Sequence, residues 1–88
     1  MLKVLTIENL KEKIGKSLLQ LRKDSDISQG ELADALSLSR ATVQKLEKGD
    51  NVTLTTLLLA IEYFDKKKEF SEFLDRITEQ TKLPDLYN

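Results

Sequence analysis

Between Ser28 and Gly49 the chain starts two helices and leaves room for neither to be long. Ser28-Gln29-Gly30-Glu31 has the S-x-x-E form of a capping box. In that motif the serine hydroxyl accepts a hydrogen bond from a backbone N–H of the first turn, and the glutamate reaches back to the cap. The apolar positions Leu32, Ala33 and Leu36 follow, enough for a helix of two to three turns, before Ser37-Leu38-Ser39 interrupts the period. Ser39 is a second N-cap, opening a helix whose inward side is Val43 and Leu46. Gly49 ends that helix as a C′ glycine does. Two helices separated by three residues must cross closely, which explains a residue as small as Ala33 on the first and assigns Leu38 to plug the turn.

The flanking sequence reads as further helix. Ile7, Leu10, Ile14, Leu18 and Leu21 recur at steps of three and four, the stripe of an amphipathic helix, with Thr6 as its cap and Lys23-Asp24-Ser25-Asp26 as its end. Thr53 caps a fourth helix running to about Phe64, with Leu54, Leu57, Leu58 and Ile61 on one face. Leu59 and Tyr63 fall on nearly the opposite face, so this helix is expected to be covered from both sides. A fifth helix offers Phe70, Phe73, Leu74 and Ile77 as cover or as partner surface. The expectation is an all-α fold of five helices with a helix-turn-helix, in a single domain over residues 1–88. Within it, residues 1–6 form an N-terminal arm or short strand, 28–48 the helix-turn-helix, 67–79 the C-terminal helix and 81–88 an irregular tail around Pro84.

Composition removes whole classes of chemistry. With no His and no Cys, the usual zinc sites, thiol redox chemistry and imidazole general bases are absent. No activated nucleophile or phosphate loop is visible either, so no catalytic residue, metal site or cofactor is assigned and the chain is not read as an enzyme. The longest unbroken apolar run, Leu57 to Ile61, is far short of the roughly 18 residues of a membrane span. Met1 to Ile7 is too short for a signal peptide, and the lack of Cys favours a reducing cytoplasm.

On the second helix of the pair, Arg40, Ala41, Gln44 and Lys45 are left pointing outward, with Ser39 at its start and Thr42 and Lys48 at the flanks. These types suit groove reading. Arg or Lys can pair with guanine O6/N7, Gln with adenine N6/N7, and Ala or the Thr methyl can touch the thymine methyl.

Leu21 to Phe64 resembles the Cro/repressor-type helix-turn-helix family, also called the XRE family. The runs that carry the resemblance are Ser28-Gln29-Gly30-Glu31-Leu32-Ala33, Leu38-Ser39-Arg40-Ala41-Thr42-Val43 and Leu46-Glu47-Lys48-Gly49, about half the chain with the flanking helices. The resemblance implies that the helix from Ser39 to Lys48 enters the major groove of double-stranded DNA. Arg40, Ala41, Gln44 and Lys45 would then face base edges, while Gln29 and the turn near Lys48 contact phosphates. It also implies a structural ion pair between Arg22 and Glu47. Three positions depart from the family pattern. Ser37 stands where glycine is usual, at a cost of about 1 kcal/mol if the backbone there is left-handed. Val52 replaces a common proline in a loop that lacks basic residues, and Glu31 and Asp34 place negative charge on the first helix of the pair.

The net charge of −1 is unusual for a DNA binder. It conceals a pattern: residues 1–24 carry +3, while 25–50 and 51–88 carry −2 each. If Arg22 neutralises Glu47, then Arg40, Lys45 and Lys48 stand uncompensated. Lys66-Lys67-Lys68, beside Glu69, Glu72 and Asp75, reads as solvated surface. The surplus of aromatic residues near the C-terminus is read as a homodimer interface comprising Leu59, Tyr63, Phe70 and Phe73. Two functions follow as expectations. One is a dimeric transcriptional repressor on a palindromic operator. The other is an antitoxin that binds a toxin protein and autoregulates its operon, because the run from Leu54 through the Phe-rich helix to Leu83-Pro84-Asp85-Leu86 resembles antitoxins that accompany kinase-like toxins.

Overall fold

The computed structural model describes residues 4–79. Five helices follow in order, α1 (Ile7–Asp24), α2 (Gln29–Leu36), α3 (Arg40–Lys48), α4 (Leu54–Tyr63) and α5 (Lys67–Glu79), with no strand among the described residues. Residues 4–6 enter α1 without regular structure. Whether Met1 to Lys3 form a strand or arm, and what the tail 81–88 adopts, lie outside the described residues.

The helix starts follow local hydroxyl chemistry. Thr6, Ser28, Ser39 and Thr53 have extended backbones, and each hydroxyl accepts from the N–H three residues on. At Thr6 and Ser28 the reciprocal bond is also present, from the side chains of Asn9 and Glu31, so both starts are full capping boxes. α2 and α3 stop at left-handed residues: Gly49 at φ 79° and, less comfortably, Ser37 at φ 56°, ψ 41°. Ser37 therefore adopts the conformation that glycine usually supplies at this turn. Asp26 and Asp65 adopt the same region in the turns after α1 and α4, where an aspartate is better tolerated than most residues.

The core is Leu18 from α1, Leu32, Ala33 and Leu36 from α2, Val43 and Leu46 from α3, and Ala60 from α4, with Leu38 packed against it from the turn. Leu32, Val43 and Ala60 are wholly buried. Ala33, 3% exposed, is buried in this core.

The structure corrects two inward faces. On α4 the buried residues are Thr56 and Ala60, flanked by Leu57 and Leu59, whereas Leu54 is 70% exposed and Leu58 is also exposed. The reason is steric: the small Ala60 lets α4 approach α2. That orientation turns Leu54 and Leu58, two positions and so about 200° away, to the opposite side. Leu59, half-buried, packs against its own core. On α1 only the C-terminal half of the apolar stripe is covered. Leu18 is buried and Leu21 half-buried, while Ile7, Leu10 and Ile14 are exposed.

α5 packs mainly on α4 and has no buried residue. Phe70 is half-buried, and Phe73, Leu74 and Ile77 form an exposed apolar ridge.

Candidate nucleic-acid interface

The amphipathic pattern of α3 divides it sharply. Val43, Leu46 and Glu47 are buried, and Arg40, Ala41, Gln44, Lys45 and Lys48 are all exposed. The exposed residues recur at helical spacing, so they share one outward side of a nine-residue helix. Arg40, Lys45 and Lys48 make no ion pair with the described residues. Ser39 and Thr42 are engaged locally: the Ser39 hydroxyl accepts from the Thr42 N–H at 3.0 Å, and the two hydroxyls share a 2.8 Å hydrogen bond. Any contact that either makes to a ligand must compete with that pair.

Glu47 fixes the buried side. Arg22 Nε donates to its Oε2 at 2.6 Å and Nη2 to its Oε1 at 3.2 Å, a two-pronged pair between α1 and α3. Arg22 Nη1 also donates to the Ile27 carbonyl at 2.8 Å, tying in the loop before α2. Both side chains are largely removed from water, 12% exposed for Arg22 and 4% for Glu47, and no buried nitrogen or oxygen of either lacks a hydrogen-bond partner. Such a pair contributes little net stability against an apolar replacement, but it penalises any structure that separates the partners.

Gln29 has a different neighbour from the one expected of it. Its Nε2 donates one N–H to Glu47 Oε1 at 3.0 Å, so a phosphate contact from this amide would use its second N–H. The connection makes the first residue of α2 part of the frame that holds α3. The helix N-terminus itself remains a favourable place for an anion, through its backbone N–H groups.

Two further contacts set the orientation of α3 and were not foreseen. A Cβ built on Gly15 would lie 2.6 Å from the Glu47 carbonyl oxygen, so α1 and the end of α3 meet with no room for a side chain. Beside this crossing Lys11 Nζ donates to Asn51 Oδ1 at 2.8 Å, joining α1 to the loop after α3. A glycine in mid-helix costs about 1 kcal/mol relative to alanine, which was the available signal for Gly15. Lys11 and Asn51 carried none.

The electrostatic setting is mixed. The backbone N–H of Ser28, and then its hydroxyl, hold the Glu31 carboxyl below the usual carboxylate range, so the start of α2 carries a persistent negative charge. Farther away, Lys67 bonds Glu62 at 2.9 Å and Lys66 bonds Glu69 at 3.3 Å, so two of the three consecutive lysines are paired on the surface. Bonding to Lys67 lowers the Glu62 carboxyl, and the converse raises the Lys67 ammonium. Among the described residues, no group of three or more carboxylates is placed to hold a metal ion, and no helix is long and apolar enough to cross a membrane.

The aromatic residues near the C-terminus form two pairs. Tyr63 meets Phe64 edge to face at 5.2 Å, and Phe70 lies 6.4 Å from Phe73. Tyr63 and Phe73 remain nearly half exposed.

Comparison with known proteins agrees with this geometry. A family model described as helix-turn-helix matches residues 18–71. A protein of Methanocella arvoryzae, named "Putative HTH-type transcriptional regulatory protein", is 45% identical over 51 residues, 58% of this chain. The matched stretch spans 16% of that relative's length.

Proposed function

The chain belongs to the Cro/repressor-type (XRE) helix-turn-helix family, and from that premise we propose that it is a sequence-specific regulator of transcription that binds double-stranded DNA. The observation that carries the proposal is the division of α3. Its inner side is held by Val43, Leu46 and the Arg22–Glu47 pair, while Arg40, Ala41, Gln44 and Lys45 stand outward beside Lys48. A helix about 10–12 Å across with its side chains fits the major groove, and these side chains match base-edge donors, acceptors and methyl groups.

In this reading α3 enters the groove, Arg40, Ala41, Gln44 and Lys45 read bases, and Lys48 meets the backbone. Ser39 and Thr42 lie at the helix entry, and the N-terminus of α2, with Gln29, faces a phosphate. The regulator acts in the cytoplasm as a homodimeric repressor on a palindromic operator. Two-fold symmetry would set its α3 helices about 34 Å apart and its half-sites about 10 base pairs apart, centre to centre. The test is selection of bound duplexes from a random pool at stated salt, followed by the Arg40→Ala/Lys45→Ala variant. Recovery of a palindrome, and loss of affinity for it in the variant, supports the reading. Unchanged affinity for the selected duplex sinks the groove assignment.

A second reading, that the chain neutralises a toxin protein and represses its own operon, draws on the uncovered apolar ridge of α5. Of the run from Leu54 to Leu86 that carries the resemblance, the tail 83–86 lies outside the described residues. Coexpression with the product of the neighbouring reading frame tests it, by co-purification and relief of growth arrest.

A further inference from the structure

Among the uncovered apolar surfaces of the described residues, a hollow and a ridge meet at one residue. The hollow is a groove of about 370 Å³ between α1, α4 and the start of α5, walled by Leu10, Ile14, Leu21, Leu57, Ile61 and Phe70. The ridge is the remainder of α5, with Phe73, Leu74 and Ile77 each more than two-fifths exposed. Phe70 closes the groove at one end and begins the ridge, so the free part of α5 starts where the groove stops. Neither surface is satisfied within the described chain. A 13-residue helix is marginal in water without packing on its apolar face.

We propose that a second copy of this chain covers both surfaces at once, each copy laying the Phe73–Ile77 ridge of its α5 into the α1/α4 groove of the other. This rests on the dimer of the preceding section and states how it is built. Three arguments favour a second copy over another occupant. First, an amphipathic helix seated in an apolar groove is a common recognition mode, and here helix and groove belong to one chain. Second, a two-fold axis beside Phe70 would exchange the ridges and make the contact isologous and closed. From Phe73 to Ile77 the helix rises about 6 Å, the same as from Leu10 to Ile14 one turn apart on the α1 wall of the groove. Third, residues 11–16 of α1 carry a surplus of two positive charges, and residues 69–79 of α5 a surplus of three negative ones. Lys13, on the groove wall, has no ion pair among the described residues. The charges on α5 lie mainly on its outer side, so they add attraction over about a Debye length rather than direct ion pairs.

The chain contains no Cys, so single thiols report contacts cleanly. Ile14→Cys and Ile77→Cys are made separately, since both sites are exposed and tolerate the change. Each is treated with a short bis-maleimide alone and as an equal mixture, at tens of micromolar. The mixture is expected to give cross-linked dimer as the dominant product, with little from either variant alone. Ile77→Asp is expected to raise the dissociation constant for self-association at least about tenfold by sedimentation, with circular dichroism unchanged. Three outcomes overturn the proposal: a monomeric wild-type chain at that concentration, coupling of Ile77→Cys to itself as efficient as in the mixture, or purely intramolecular coupling in the Ile14→Cys/Ile77→Cys double variant. DNA affinity is measured separately on the same samples. A cross-linked dimer that binds no DNA would refute the proposed function and leave this inference standing, whereas a DNA-binding monomer would overturn this inference and the dimer while leaving DNA binding in place.

Discussion

Gly15 and Gly49 meet backbone to backbone where α1 crosses the end of α3. A Cβ on Gly15 would fall 2.7 Å from the Gly49 amide nitrogen, and one on Gly49 would fall 2.5 Å from the Lys11 carbonyl oxygen. Each glycine is required by the other's helix. The crossing sets how far α3 stands from α1, and therefore how far its outward side chains project.

Gly15→Ala is accordingly expected to destabilise the domain. In a free helix the change would stabilise by about 1 kcal/mol. Here the obstructing atoms are backbone and cannot rotate away, so overpacking of about 3 kcal/mol outweighs that gain. A net loss of about 2 kcal/mol lowers the melting temperature by roughly 10 °C in a domain of this size. Urea denaturation checks the sign, and a more stable variant would show that the helices do not cross this tightly.

Arg22 and Glu47 are expected to behave as a unit. Arg22→Met leaves a carboxylate, buried except for 4% of its side-chain surface, with Gln29 as its remaining partner. The cost is about 3–5 kcal/mol. Arg22→Met/Glu47→Leu removes both charges and should recover most of that loss, which a double-mutant cycle in denaturant measures. If the double variant is no more stable than Arg22→Met, the penalty comes from lost packing of the arginine stem rather than from a stranded charge.

Local signals carried most of the fold, and tertiary ones were missed for a common reason. Thr6, Ser28 with Glu31, Ser39, Thr53 and Gly49 act on atoms within three or four residues, so their spacing alone located the helix ends. The Arg22–Glu47 pair spans 25 positions and was reachable only through the family resemblance. The stripe on α1 shows that Leu10 and Ile14 share a face, but no periodicity says whether another helix reaches it. Leu54, Leu58 and Leu59 show the same gap on α4, where the small Ala60 decided the inward direction over the larger leucines. For the candidate site, the outward row on α3 was legible because its complement, Val43 and Leu46, is apolar. The Gln29–Glu47 bond was not, because a polar residue at a helix start has several partners within reach.

Ser37 is expected to be improvable. A non-glycine residue in the left-handed region costs about 1–2 kcal/mol, and glycine returns about 0.4–1 kcal/mol of that through the unfolded chain. Ser37→Gly should therefore stabilise by about 0.5–1 kcal/mol, read as a higher urea midpoint at unchanged slope. A lower midpoint would mean that the serine side chain stabilises the turn in a way its exposed position does not show.

The capping box of α2 makes a pH-dependent contribution. Hydrogen bonds from Ser28 lower the Glu31 carboxyl from 4.5 in the folded chain, so the folded form binds this proton less readily than the unfolded one. The contribution is fully present above about pH 4.5 and is lost as pH falls through the lower folded value. Glu31→Gln should flatten that part of the stability profile and leave neutral pH nearly unaffected, because glutamine also serves in a capping box. Parallel acid profiles for the two proteins would place the proton elsewhere.

Binding to DNA releases about 0.9 counterion per phosphate neutralised, and most of that effect is independent of sequence. Arg40, Lys45 and Lys48 are the basic residues of α3, and the first two are assigned to bases. Glu31, Asp34 and Asp50 are exposed nearby on α2 and in the loop after α3, and they oppose any wider basic field. One or two neutralised phosphates per protomer give a dimer a slope of log affinity against log salt of only about −2 to −4. Non-specific DNA, held by that term alone, should bind weakly at physiological salt, while the selected palindrome adds base contacts that salt does not remove. Fluorescence anisotropy on both duplexes across a salt series measures the two slopes. A slope near −8 on the palindrome would require basic contacts that α3 does not supply, and Lys48→Ala should reduce the measured slope for the dimer by about 2, one unit per protomer.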